Sequence, residues 1–211
     1  MQSKGGEVMC KFLSAIVTSN GDIICHPEYT DSHEVLIKAY NLRTSEIAER
    51  SYVRVEFVPQ GDYDDAEKYA LTVDETSVPD WFESIRKDVV DSLKTRIKHA
   101  ISVGERHKAL LGQFAILRDW KGEIYAGRVF LLGNSRATLY GNSRATLRDN
   151  SQATFYGNSR ATLLDNSQAT INGNSQATLL DNSQATLWDN SQATIWGNSR
   201  LVDKRPKAVM R

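Results

Sequence analysis

The side chains best suited to chemistry lie near the start of the chain. Cys25 and His26 are adjacent, and Cys10 and His33 are close in sequence. Thiolates and imidazoles are zinc ligands, but zinc sites space them as paired C-x-x-C or comparable sets. No such spacing occurs, so no metal ligand is expected. Carboxylates gather at Glu56, at Asp62, Asp64 and Asp65, and at Asp74-Glu75. Acidic loops of this kind are usually solvated. His99 and His107 sit where a long helical pattern ends, a place that favours a cation. No G-x-S-x-G elbow, phosphate loop, strand-to-helix G-x-G-x-x-G or H-E-x-x-H helix is present. The expectation is therefore no catalytic residue, no cofactor and a nonenzymatic role, although an active site can lack a local signature.

Charge narrows the partners. The chain has 211 residues, with 26 Lys plus Arg against 26 Asp plus Glu and a net charge of zero. Nucleic-acid and membrane-surface binding both draw on a basic excess, so neither is expected. No apolar run reaches the roughly 18 residues of a transmembrane helix. Residues 1–8 read as a flexible N-terminus without a secretory apolar segment. Two cysteines in that setting suggest reduced thiols and a cytoplasmic location. A Cys10–Cys25 bridge would need their strands to pair.

The elements that would position these residues form an α+β head over 9–124. An apolar run, Lys11 to Thr18, meets a second, Asp22 to His26, across Asn20-Gly21. That pair predicts a hairpin with a type I′ turn. Asp31-Ser32-His33-Glu34 has the spacing of a helix start, with Asp31 as cap and Asn41 at the end. Residues 52–58 alternate, with Val53, Val55 and Phe57 on one face. Residues 68–74 do the same with Tyr69, Leu71 and Val73. Phe82, Ile85, Val89, Leu93, Ile97 and Ile101 then form one helical stripe after Pro79. The stripe is expected to pack on the head's own sheet; a dimer seam is the alternative. Later strands, 113–118 and 123–132, flank a turn at Asp119-Trp120-Lys121-Gly122.

From Gly133 the chain repeats every eight residues: GNSRATLY, GNSRATLR, DNSQATFY, GNSRATLL, DNSQATIN, GNSQATLL, DNSQATLW, DNSQATIW and a decaying GNSRLVDK. A fixed short period marks a solenoid, in which each unit buries itself only against its neighbours. Period two sorts the faces. Ser143, Ala145 and Leu147 share one side; Arg144, Thr146 and Arg148 share the other. The first set ends in Leu, Phe or Ile in all eight full octads, so it is the interior. Gly and Asn suit tight corners, and the Asn column predicts a side-chain ladder. Asp at 149, 165 and 181 alternates with Gly at 141, 157 and 173. That alternation points to two octads, sixteen residues, per coil, though Asp189 and Trp196 break the phase. Nine octads give about four and a half coils, a rod roughly 20 Å long at the usual strand spacing. The β-solenoid is expected over 125–202, with Tyr125 to Leu132 as a degenerate first octad that places Gly127, Val129 and Leu131 inside. A basic tail, 203–211, either caps the last coil or stays solvated.

The outward columns are the better functional candidate. Tyr140, Tyr156 and Trp188 fall on one face, with Gln152 and Thr154; Leu164, Leu180 and Trp196 fall on the other. Exposed apolar rows mark interaction surface, or else pack on one another along the ladder.

The segment GNSRATLYGNSRATLRDNSQAT resembles octapeptide arrays of uncharacterised tailed-phage and gut-bacterial proteins. FLSAIVTSNGDIICHPEYTDSHEVLI resembles their leading domain. The resemblance implies a phage-type protein in the host cytoplasm and transfers no site residue. The coil is also similar to that of bacterial ice-nucleation proteins, but those present Thr-x-Thr outward where Gln152 and Thr154 stand here. The leading expectation is a nonenzymatic protein whose solenoid is a rigid binding or self-association surface. It implies a homo-oligomer, through a solenoid face or end, or a host-protein partner. A second expectation makes the head a ligand-sequestering or host-defence-inhibiting module, or a small enzyme, multimerised by the solenoid. Ice binding is the third.

Overall fold

The structure, a computed structural model, describes residues 12–42, 51–104 and 106–206, with side chains at 106–108 outside that description. Cys10, and with it the Cys10–Cys25 bridge, lies outside the described residues, as does the side chain of His107. The chain divides into two compact units, 1–99 and 100–211.

Among the described residues, the first unit is a four-stranded antiparallel sheet with two α-helices. Its strands are β1 (Leu13–Thr18), β2 (Ile23–Ile24), β3 (Tyr52–Pro59) and β4 (Tyr69–Val73), in the order β2-β1-β3-β4. Leu13, Ala15 and Val17 stand opposite Phe57, Val55 and Val53, and all six are fully buried. That is the apolar face foreseen from the alternation. Directly paired residues of an antiparallel ladder share a face, so Ser14, Ile16, Arg54 and Glu56 lie on the other side.

Helix α1 (His33–Ala39) covers this second face, where Leu36 packs with Ile16 and Tyr52. Its cap is Ser32, which accepts from the Val35 amide at 3.4 Å. The cap thus falls one residue after the expected Asp31, and Glu34 cannot complete a capping box. Asn41 ends the helix with a positive φ of 49°, a conformation asparagine tolerates. The hairpin also differs in detail. Gly21 has φ 85°, while Asn20 is not in the positive-φ region. The Gly21 amide bonds Thr18 O and the Thr18 amide bonds Asp22 O. This is a three-residue loop closing on a glycine, not a type I′ turn.

Helix α2 (Asp80–Ala100) buries Phe82, Val89, Leu93 and Ile97. Its lysines 94 and 98 both hold Glu67, and Arg96 donates to Cys25 O. The stripe is therefore consumed inside the described chain. Ile101 is not its last member: it opens β5 and pairs with Ile116.

The second unit is a parallel β-solenoid of about six turns, from residue 101 to 203. Its strands are β5 (Ile101–Val103), β6 (Arg106–Leu111), β7 (Phe114–Arg118), β8 (Lys121–Tyr125), β9 (Arg128–Leu132) and β10 (Arg136–Tyr140). β11 (Arg144–Leu147), β12 (Gln152–Phe155), β13 (Arg160–Leu163), β14 (Gln168–Ile171) and β15 (Gln176–Leu179) follow. β16 (Gln184–Leu187), β17 (Gln192–Ile195) and β18 (Arg200–Asp203) complete it. Even-numbered strands make one seven-stranded sheet and odd-numbered strands the other. Arg136 pairs with Gln152, Gln168 with Gln184, and Arg160 with Gln176, each sixteen residues apart. Two octads per coil is the observed repeat. Six strand spacings make the solenoid roughly 29 Å long.

It begins well before the first legible octad. The segments 113–118 and 123–132 are coils of the solenoid, and the turn at Asp119 is one of its corners. Trp120 lies in the solenoid core, in the column that Ser135 continues. Gly127 holds the matching place on the odd sheet, where an added Cβ would come within 2.8 Å of Gln113 O.

The interior matches the period-two reading. Ser135, Ser143, Ser151 and their equivalents through Ser191 are fully buried, and the column Leu139, Leu147, Phe155, Leu163, Ile171 and Leu179 is at 0% exposure. Each such residue contributes about 1.5–3 kcal/mol of burial. The serines do more than fill space. Several of their hydroxyls donate back to the carbonyl three residues earlier, as Ser135 does to Leu132 O at 2.7 Å and Ser167 to Leu164 O at 2.6 Å, although Ser151 Oγ is buried without a partner among the described residues. Where it forms, that bond satisfies a buried polar group and fixes the corner.

The two edges of the rod are built differently. On one, Asp149, Asp165 and Asp181 adopt φ of 56–57°. Each carboxylate accepts from a backbone amide one coil earlier: Gly133 N to Asp149 at 2.7 Å, Asp149 N to Asp165 and Asp165 N to Asp181 at 3.2 Å. On the other edge, Cβ atoms at Gly157 and Gly173 would fall within 2.9 and 2.8 Å of the carbonyl below. The Asp/Gly alternation thus records two corner designs. Asparagine side chains join coils on the glycine edge, from Asn174 to Asn158 at 3.4 Å and Asn190 to Asn174 at 3.5 Å. Most corner closure, however, is backbone, such as Asn158 N to Gly141 O at 2.9 Å.

Candidate interaction surface

The outward residues of the even sheet form three columns at strand spacing. The first runs Lys121, Arg136, Gln152, Gln168, Gln184, Arg200, and the second Glu123, Thr138, Thr154, Thr170, Thr186, Val202. The third, at or just past the strand ends, holds Tyr125, Tyr140, Tyr156, Asn172 and Trp188. Parallel in-register pairing puts like side chains over one another, so the repeat in sequence becomes a grating in space. Gln and Thr line a shallow trough along this face, which runs from Lys121 and Glu123 to Arg200 and Val202.

The aromatic column is a stack. Tyr125 and Tyr140 rings lie 4.9 Å apart and Tyr140 and Tyr156 5.5 Å apart, within 13° of parallel. The spacing is set by the strands, and offset stacking is favourable at that distance. Tyr125 Oη donates to Glu123 at 2.7 Å, which raises the tyrosine above its ordinary pKa. The predicted Tyr140 and Tyr156 are thus brought together, and Tyr125 extends them. Trp188 follows after Asn172, whose amide turns back to Phe155 O at 3.2 Å. Tyr156 and Trp188 are each 43% exposed.

The odd sheet places Leu132, Arg148, Leu164, Leu180 and Trp196 in its outer column. Leu164 and Leu180 are half-buried, while Trp196 is 61% exposed. This face is more basic. Arg128, Arg144 and Arg160 stand in register along it, whereas the even sheet turns from Lys121 and Arg136 to glutamine at Gln152. Arg148 is drawn to the corner column, with Nε 3.2 Å from Asp165.

In the head, the residues singled out for chemistry are used structurally. His33 is buried, contacts Val55 O at 3.0 Å through Nε2, and faces Asp74 and Glu56 at 3.5 and 3.8 Å through Nδ1. It ties α1 to the sheet. Burial raises the Cys25 thiol above its ordinary pKa, while His26 stacks on Tyr40 and bonds its hydroxyl. Among the described residues, no three His, Cys, Asp or Glu side chains converge as a metal site requires. No helix of the described residues is long and apolar enough to cross a membrane.

No protein-family model matches the chain, and no curated protein or solved structure is similar to it.

Proposed function

We propose that this is a nonenzymatic, phage-type protein whose β-solenoid presents a rigid surface for binding or self-association in the cytoplasm of its host. The observation that carries the reading is the even face. Its Gln, Thr and aromatic columns stand in register at strand spacing, with Tyr156 and Trp188 open to solvent. A two-layer solenoid orders these side chains before any partner arrives, so little entropy is lost on binding. Aromatic residues so held are the type that dominates interface energetics. The phage-type assignment rests on the resemblance of the repeat and head segments alone.

Light scattering of the full chain and of a Tyr156→Ser/Trp188→Ser variant tests the reading. The variant is expected to fold, by circular dichroism, and to lose either mass or a partner recovered with the wild-type chain. Identical mass and identical recovery for both proteins would remove this face as the working surface.

A further inference from the structure

Among the described residues, the C-terminal end of the solenoid is open. β17 and β18 are the last described strands of their sheets. The amides of Gln192, Trp196, Arg200 and Lys204 all bond back to the preceding coil. Backbone groups alternate in direction along a strand. Ala193 and Ile195 of β17, and Leu201 and Asp203 of β18, therefore direct their N–H and C=O groups off the end. The interior opens there as well. Ile195 is 43% exposed, while its equivalents from Leu139 to Leu187 are at 0–1%. Of the tail residues described, Arg205 donates to Ser191 O at 3.2 Å and pairs with Asp203, which covers one corner carbonyl.

We infer that this end seats a second copy of the chain, two solenoids meeting tail to tail about a twofold axis parallel to the strands. The occupant follows from the geometry of a coil. Each further strand of the same coil would close one edge and present another half a coil on, so added coil never ends the opening. A second copy does. β17 and β18 lie half a coil apart along the rod. After the twofold turn, the partner's β17 falls on β18 and the partner's β18 on β17, both at strand spacing. Strands run in opposite directions in the two sheets, so both new ladders are antiparallel. The outward amides and carbonyls are satisfied, and Ile195 of both copies is buried. Such an isologous contact closes at two chains, and bare strand edges are the usual template for it. The end of a two-strand rod is smaller than the roughly 800 Å² per partner of a standard interface, so the pairing is expected in the micromolar range.

Sedimentation of the full chain over about 1–200 µM reads the outcome directly. The wild-type mass is expected to rise from 23.7 kDa to twice that value. Ile195→Glu places a carboxylate where the pair would bury it. Ala193→Pro removes an outward N–H that the rod itself does not use. Both are expected to weaken pairing by about tenfold or more, while Tyr156→Ser/Trp188→Ser keeps it. Hydrogen exchange of the wild type over the same range gives an independent readout, with protection rising at Ala193, Ile195, Leu201 and Asp203. The inference is overturned by a single-chain mass throughout, a mass that grows past two chains, pairing that survives both end variants, or unchanged protection at those amides. Pairing lost in the face variant also overturns it, and returns association to the even face, leaving the proposed function standing.

Discussion

Leu163 and Ile195 occupy the same interior column, one mid-rod and one at its end, so truncating each to alanine measures the solenoid's core. Leu163 is fully buried between Leu147 and Leu179. Leu163→Ala removes three carbons worth about 0.8 kcal/mol each, or roughly 2.4 kcal/mol. A cavity adds to this, because the alanines and serines beside it are too short to fill the gap; the total is about 3–4 kcal/mol. Ile195 is already 43% exposed, so Ile195→Ala is expected to cost about 1 kcal/mol in the single chain. Urea unfolding at about 1 µM, followed by far-UV dichroism and by tryptophan emission in a Trp81→Phe background, gives both values from the midpoints. The remaining Trp120, Trp188 and Trp196 all belong to the solenoid unit, so their emission reports this unit. Equal losses, or a larger loss at Ile195, would refute the account of a core closed at its middle and open at its end.

The glycine edge makes a paired prediction. Gly157→Ala puts a Cβ 2.9 Å from Gly141 O at φ 81°, whereas Gly141→Ala meets nothing within 4 Å at φ 71°. Both pay about 1 kcal/mol for the left-handed backbone, and Gly157→Ala is expected to lose a further ~1 kcal/mol from the clash, read by the same urea midpoints. In the head, bonds from Lys94 and then Lys98 hold the Glu67 carboxyl down at about 2. A lowered folded pKa gives stability that is fully present above the unfolded value near 4.5 and lost as pH falls toward 2. Glu67→Gln is expected to flatten that acid limb of the melting profile, and less so in high salt, since the pair is exposed. An unchanged limb would show that the lysines do not hold Glu67 in solution.

The octads were legible because each obeys period two without exception at Leu, Phe or Ile, and because Asp and Gly alternate with the coil. Tyr125 to Leu132 was legible as a degenerate octad, with Val129 and Leu131 inside, but the coils before it were not. Ile101 pairs with Ile116 and Phe114 with Arg128, fifteen and fourteen residues apart. Trp120 and Gly127 stand where later coils have serine. With neither period nor identity to follow, these strands resembled an ordinary α+β sheet. The same irregularity hid Tyr125, fifteen residues before Tyr140, while the sixteen-residue offset of Tyr140 and Tyr156 predicted their stack. Ile101 was assigned to the helix because its spacing suits the stripe; a strand pairing, invisible locally, claims it instead. The open end was beyond reach for another reason. Ile195 belongs to an octad like the others, and only the three-dimensional neighbour it lacks sets it apart.

The two corner designs exchange edges near the end of the rod. Asp189 sits on the glycine edge, where it accepts from Gly173 N at 3.0 Å, and Gly197 sits on the aspartate edge. The exchange begins after DNSQATLW, which is followed by DNSQATIW, a copy differing only at Ile195. Insertion of one octad leaves every interior column intact, because both halves of a coil bury the same Ser, Ala and Leu places. It also carries everything downstream to the opposite sheet. A gene that slips by eight codons thus yields a protein that still folds but shows its outward residues on the other side. A slip of sixteen only makes it longer. Inherited changes in repeat number therefore fall into two kinds, one that alters reach and one that turns the surface over.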